Sequence, residues 1–294
     1  YLGLIYSKGN YIETNIKKAI YYYDLAVQQN YSNAQFELGY LYYVGIQVPL
    51  DVIKGLRYIL LAANQNHSHA QYIIGSSYYF GYYFKKDINK GKEYLISSSK
   101  QNDVNAQYLL GIIYYNEGKS NKAIEYLTLA AKHPNFPQAQ YVLGNIYYHG
   151  IYVVKDILKA EYYLSQASNQ NFADAQLNLG VIYLKSNKVN EGIHLLTQAA
   201  QQNKSEALFF LGLIYYNNDY VPQNINKAIY YFNLASKQNY PKANYCLGVI
   251  YKNDIKKSIH YFELAANNNE KKSQYKLGLI YYEGWNVERD INKG

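Results

Sequence analysis

Apolar and small residues recur along the chain at spacings of three and four, interrupted by polar clusters and glycine-bearing loops. That period belongs to helices with one buried face. A first kind of segment reads Ala-Gln-Tyr-x-Leu-Gly-x-Ile-Tyr-Tyr, as in Ala106 to Tyr115 and Ala139 to Tyr148. A second kind follows it, shown well by Asp156 to Ser168, and ends in Asn/Gln-rich stretches such as Asn169-Gln170-Asn171. The pattern predicts a unit of helix, loop, helix and turn, repeated.

A glycine sets the register. Gly3, Gly39, Gly75, Gly111, Gly144, Gly180, Gly212, Gly248 and Gly278 are separated by 36, 36, 36, 33, 36, 32, 36 and 30 residues. Each has a tyrosine three residues later: Tyr6, Tyr42, Tyr78, Tyr114, Tyr147, Tyr183, Tyr215, Tyr251 and Tyr281. This register predicts nine first helices, eight full second helices and a stub. A glycine inside a helix costs about 1 kcal/mol relative to alanine, so its recurrence predicts close approach of a neighbouring helix. The pairs Ala62-Ala63, Ala130-Ala131, Ala199-Ala200 and Ala265-Ala266 predict equally tight crossings. No unit can bury its apolar face alone, so the units must stack.

The starts of the second helices carry their own signal. Asp51, Asp87, Asp156, Asp254 and Asp290, with Asn15 and Asn224, stand three residues before a recurrent lysine. Side chains of this type cap free backbone N–H groups. Full-length loops place a glycine ahead of a valine and the capping residue, as with Gly45 and Val48, Gly150 and Val153, and Gly284 with Trp285 and Val287. A glycine there can take the left-handed conformation that ends a helix. Three units are shortened at this point, after Tyr115, Leu184 and Tyr251, which predicts tighter hairpins between unchanged helices.

These residues together resemble the Sel-one-like repeat family, a relative of the tetratricopeptide repeats. The resemblance spans essentially the whole chain and rests on Ala34, Leu38-Gly39, Tyr42, Gly45, Val48, Asp51 and Lys54-Gly55 with their copies. The chain departs from the family where a second loop glycine is usual, carrying Gln47, Tyr83, Tyr152 or Asn286, and the short units place Lys119 and Lys188 at the capping position. The resemblance implies an all-α fold, a right-handed α/α superhelix or solenoid of about eight helix-loop-helix repeats of 30–36 residues. The expected domain is one continuous array over residues 1–294 with partial first and last repeats, a fragment of a longer protein. The resemblance further implies a non-catalytic adaptor that holds other proteins or peptides, with the first helices lining a concave surface.

At about 100° per residue, the repeat Ala, Leu and Tyr share the core side of a first helix. Residues two, six and nine after the Ala fall opposite. They are Phe36, Tyr40 and Tyr43 in one repeat, then Tyr72 and Tyr79, then Tyr108 and Tyr115. Tyr141, Asn145 and Tyr148 follow, then Phe209 and Tyr216, and finally Tyr275 and Tyr282. Tyrosine suits interfaces, giving rigid area with a polar tip, so these positions are the expected partner-binding groove. The competing expectation is that the rings pack sideways between adjacent first helices. In one repeat the same positions are aliphatic, with Leu177, Val181 and Leu184.

Composition narrows the chemistry. With 40 tyrosines and 49% hydrophobic residues, the chain suits many half-buried niches. The net charge of +8 is spread along the chain and comes almost wholly from lysine, with Arg57 and Arg289 the arginines. That pattern reads as a solvated surface rather than a nucleic-acid stripe. No apolar run is long enough to span a membrane. The single cysteine, Cys246, cannot form an internal disulfide, which leans towards a reducing, cytoplasmic setting, and it reads as a small packing residue.

Sequons at Asn30, Asn66 and Asn203 are expected by chance in an Asn-rich chain. His67 and His69, two apart in a turn with no neighbouring Cys or carboxylate, read as a surface pair. His133, His149, His194 and His260 occupy unlike repeat positions, and no phosphate-binding Gly-rich loop occurs. Neither a catalytic centre, a cofactor nor a metal site is expected. Two alternatives stay open. One is a regulatory repeat region of a larger enzyme such as a protein kinase, which the full-length reading frame would decide. The other is a single-stranded nucleic-acid binder, which requires affinity that falls steeply with salt.

Overall fold

The computed structural model describes residues 1–9 and 12–284. Among them every regular element is an α-helix, and there are seventeen. The first helices are α1 (Leu2–Lys8), α3 (Ser32–Val44), α5 (Ser68–Phe80), α7 (Val104–Asn116), α9 (Pro137–His149), α11 (Ala173–Lys185), α13 (Ser205–Tyr216), α15 (Pro241–Ile250) and α17 (Lys271–Glu283). The second helices are α2 (Ile16–Gln28), α4 (Val52–Asn64), α6 (Ile88–Lys100), α8 (Ser120–Ala131), α10 (Ile157–Ser168), α12 (Val189–Gln201), α14 (Ile225–Ser236) and α16 (Ile255–Ala266). The nine first and eight second helices match the register of the glycines. The expected stub, with Trp285, Asn286, Val287 and Asp290, lies outside the described residues.

The chain forms two compact units, one of residues 1–143 with 151–154, the other of residues 144–150 with 155–294. In each, a first helix packs on its own second helix, which packs on the next first helix, as in α3–α4–α5–α6 and α11–α12–α13–α14. Both cores are built from the same repeat positions. Ala34, Leu38, Ala70, Ile74, Ala106 and Leu110 are buried in the first unit, and Ala175, Leu179, Ala207, Leu211, Ala243 and Leu247 in the second.

Close approach explains the recurrent glycine. A Cβ on Gly39 would lie 2.8 Å from the Gly55 carbonyl oxygen, and one on Gly55 would lie 2.6 Å from the Tyr43 backbone nitrogen. In the second unit a Cβ on Gly212 would meet the Phe232 ring at 2.5 Å. A Cβ on Gly111 would likewise lie 2.6 Å from Leu127, so the glycine makes room for a glycine backbone, a leucine or a ring from the second helix.

The capping residues act as the sequence predicts. Asn15, Asp51, Asp87, Asp156, Asn224 and Asp254 each accept a hydrogen bond from the backbone N–H of the lysine three residues on, at 2.9–3.2 Å. Lys119 and Lys188 supply no side-chain cap to α8 and α12. Gly45, Gly150 and Gly284 take the left-handed conformation, with φ of 72°, 69° and 69°. At the positions where the family's second loop glycine is usual, Gln47, Tyr83 and Tyr152 keep that conformation at φ 68°, 62° and 62°. The loop path survives the substitution, at a cost of about 1–2 kcal/mol per residue.

Candidate functional site

The inter-repeat turns are held by a polar device inside the stack. In five repeats the residue after the repeat alanine is a buried glutamine, at Gln35, Gln71, Gln107, Gln140 and Gln176, while Leu208 and Asn244 hold the position in two others. A buried amide costs free energy unless it is paired. Gln71 Nε2 donates to Asn66 Oδ1 of the preceding repeat at 2.8 Å, and its Oε1 accepts from Gln101 Nε2, in the turn that ends its own repeat, at 2.8 Å. Gln35 repeats this arrangement with Asn30 and Gln65, at 2.9 and 2.6 Å, as does Gln176 with Asn171 and Gln202, at 3.1 and 2.7 Å. The asparagines sit at φ 58–66°, in the left-handed turn that Asn tolerates. Two of the chance sequons, at Asn30 and Asn66, thus supply clamp residues.

This clamp fixes one first helix against the next and so sets the spacing of the rings they carry. Two residues after the alanine, the rings pack forward onto the start of the following repeat. Phe36 stacks on His67 at 4.4 Å, Tyr108 meets Phe136 edge-on at 5.4 Å, and Phe209, only 8% exposed, lies 5.3 Å from Tyr240. Tyr72 is half-buried between the clusters around Ile74 and Leu110, and Tyr141 is half-buried.

Nine residues after the alanine, the rings meet the next loop or a lysine. Tyr43 meets Tyr83 at 6.5 Å and Tyr115 meets Tyr152 at 5.6 Å, both edge-on. Tyr148 accepts a hydrogen bond from Lys185 Nζ at 2.8 Å. Tyr79 and Tyr216 are half-buried, packed beside the clusters around Leu110 and Phe232. Asn145 accepts from Asn178 Nδ2 at 2.7 Å. Tyr40, Tyr275 and Tyr282 are the open members, 41%, 66% and 54% exposed. Leu177 and Leu184 are buried, so the aliphatic repeat offers core rather than surface at those two positions. Burial pushes the phenols of Tyr43, Tyr72 and Tyr108 above their ordinary value, so they remain neutral and able to donate.

One reading is corrected. His67 caps α5, its Nδ1 accepting from the Ala70 N–H at 3.2 Å, and His69 lies inside that helix. His69 also has a carboxylate partner, Asp103 Oδ2 at 3.0 Å. The contact spans thirty-four residues, so it shows in the sequence only when successive repeats are aligned. Burial pushes the Asp103 carboxyl up, but hydrogen bonds from His69 and from the Ala106 N–H outweigh it and hold the group below its ordinary value. Burial and the neighbouring His69 hold the His67 ring below its ordinary 6.5. Among the described residues no group of three His, Cys, Asp or Glu side chains could hold a metal ion. The Cys246 thiol is pushed up to about 11, chiefly by burial, and packs beside the cluster around Phe232. A thiol held that far from ionisation is a poor nucleophile.

No helix among the described residues is long and apolar enough to cross a membrane. No curated protein matches the chain at a significant level. Among solved structures, it is similar to a protective antigen of uropathogenic Escherichia coli strains displaying an SLR fold, at 25% identity and a TM-score of 0.87. That match covers 99% of this chain and 65% of the antigen, so the chain spans about two thirds of that protein's length. It is also similar to a Sel1 repeat protein from Oxalobacter formigenes, at 23% identity and a TM-score of 0.67, covering 95% of this chain and 84% of that one. Repeats of this kind generally mediate protein–protein interaction and are typically non-catalytic. The Sel1 repeat model matches residues 1–31, 32–67, 68–103, 104–135, 137–172, 173–204, 205–240, 243–270 and 271–294, and the chain belongs to the Sel1 repeat family.

Proposed function

We propose that the chain is a non-catalytic scaffold that grips a partner peptide or domain with the rings carried on its first helices. The observation that supports this most is the half-burial of the tyrosines nine residues after the repeat alanine. Tyr79 and Tyr115 in the first unit are each wedged at one edge by packing and open at the other. A ring immobilised before binding loses little conformational entropy when a partner covers it. The rings two residues after the alanine contribute differently: Phe36, Tyr108 and Phe209 spend their area on the next repeat and position the others.

The test is affinity capture from source-cell lysate with the native chain and with a Tyr79→Ser/Tyr115→Ser variant, both shown helical by circular dichroism. Proteins held by the native chain and lost from the variant support the grip. Identical captures would assign the rings to packing alone.

A further inference from the structure

The loops that follow α3 and α5 in the first unit present an unusual edge. Ile46, Leu50, Tyr82 and Tyr83 are each 60–63% exposed on these two adjacent loops. Single exposed apolar side chains need no explanation, but a cluster on neighbouring loops marks an interaction surface. Tyr83 is held there against its backbone preference, at φ 62°, with its ring braced on Tyr43. Tyr82 is braced on Phe80, the ring centroids 5.4 Å apart. By contrast, the short hairpin between α7 and α8 carries Glu117, Gly118 and Lys119 and exposes no large apolar side chain.

The charge on this edge is net positive, with four lysines against the two exposed carboxylates Asp51 and Asp87. Lys85 and Lys86 are exposed beside the rings, and Lys54 and Lys90 stand over the Tyr42 and Tyr78 rings at the loop bases. The carboxylates of the two loops, Asp51 and Asp87, already accept from backbone N–H groups. The occupant is therefore apolar within and anionic at its surface. The residues project from helix ends rather than line a cleft, which suits a flat partner. Tyrosine rings with a wet hydroxyl and lysines with long apolar stems are the side chains that settle at a bilayer interface.

We propose that this loop edge docks the first unit peripherally on an anionic lipid surface, with Ile46, Leu50, Tyr82 and Tyr83 entering the headgroup layer and Lys85 and Lys86 facing the phosphates. The proposal does not rest on the ring grip described above, and the Tyr79→Ser/Tyr115→Ser variant is expected to bind lipid as the native chain does.

Vesicle flotation tests it, with phosphatidylcholine alone and with phosphatidylserine added. The native chain is expected to float with the mixed vesicles, less so as salt rises. A Lys85→Glu/Lys86→Glu variant should lose at least about tenfold in partition. Tyr82→Ser/Tyr83→Gly should lose a similar factor while remaining folded, because glycine suits the left-handed position. Failure of the native chain to float with phosphatidylserine vesicles would overturn the proposal, as would flotation unchanged in both variants. Capture of an acidic protein through these residues without vesicle binding would reassign the edge to a protein partner.

Discussion

Two turns in the first unit join a second helix to the next first helix, and they are closed differently. Between α6 and α7 three residues suffice: Gln101, Asn102 in the left-handed conformation, and the capping Asp103. Gln101 reaches back to the buried Gln71 and completes its amide. Between α8 and α9 the turn takes five residues, 132–136, none with positive φ, and His133 stands where Gln101 stood, its N–H meeting the Ala130 carbonyl as that of Gln101 meets Ser98. The Gln107 Oε1 that would have been satisfied there is buried without a hydrogen-bond partner. The difference shows what the Asn/Gln clusters are for. The apolar core holds any two helices together, but the amide pairs specify which turn follows which helix. In this repeat the amide pair lapses and the turn is longer, and the boundary between the two compact units falls within the helix that follows.

The largest effect comes from breaking the helix contact ahead of the first turn, where α6 crosses α5. In Gly91→Val, a Cβ would sit 2.7 Å from the Tyr79 backbone nitrogen and 2.8 Å from the Gly75 carbonyl oxygen. Neither neighbour is a flexible side-chain end, so the variant should lose about 3 kcal/mol or more in urea unfolding.

The next effect separates the two turns. Gln71→Met removes a buried amide with both its donor and its acceptor paired, with an expected loss of about 2 kcal/mol. Gln107→Met removes an amide that is half unsatisfied and donates only to the Ser99 carbonyl at 3.4 Å, so it should change stability by less than about 0.5 kcal/mol. Equal losses at the two sites would show that the amide pairs add nothing beyond packing.

A pH effect follows from His67. Its folded value lies below 6.5, so the unfolded chain takes up the proton first as pH falls. The cap's contribution is complete above 6.5 and is lost as pH drops from there through the folded value. Helix α5 should therefore loosen between neutral and mildly acidic pH, seen as faster amide exchange at Ser68–Ala70. In His67→Asn, whose cap does not titrate in this range, that step should vanish. The smallest effect is a gain: His133→Gln offers Gln107 the missing donor and should add about 0.5 kcal/mol.

Much of this was legible in sequence because the repeat averages out local noise. The Gly-x-x-Tyr register placed all nine first helices, and six of the seven capping residues act as expected, Asp290 lying outside the described residues. The amide clamp was in plain view in the recurrent Ala-Gln, yet a glutamine on a helix reads as surface. Only the folded turns before and after the repeat reveal that Gln35, Gln71 and Gln176 are buried and paired. The His69–Asp103 pair was missed for the same reason. In the ring positions, helical geometry grouped the residues but could not supply their packing partners. Phe36 packs forward on His67 of the following turn, whereas Tyr40, 41% exposed, stacks on Phe36 of its own helix.

The central claim is that partners are gripped by the rings on the first helices, and site-specific photo-crosslinking tests it most directly. Benzoyl-phenylalanine would replace Tyr79 or Tyr115, and, as the comparison, Tyr21 on the exposed side of α2. Irradiation in source-cell extract should yield crosslinked protein from positions 79 and 115 and little from position 21. Crosslinks arising only from Tyr21, with none from Tyr79 or Tyr115, would contradict the claim and move the binding surface to the second helices.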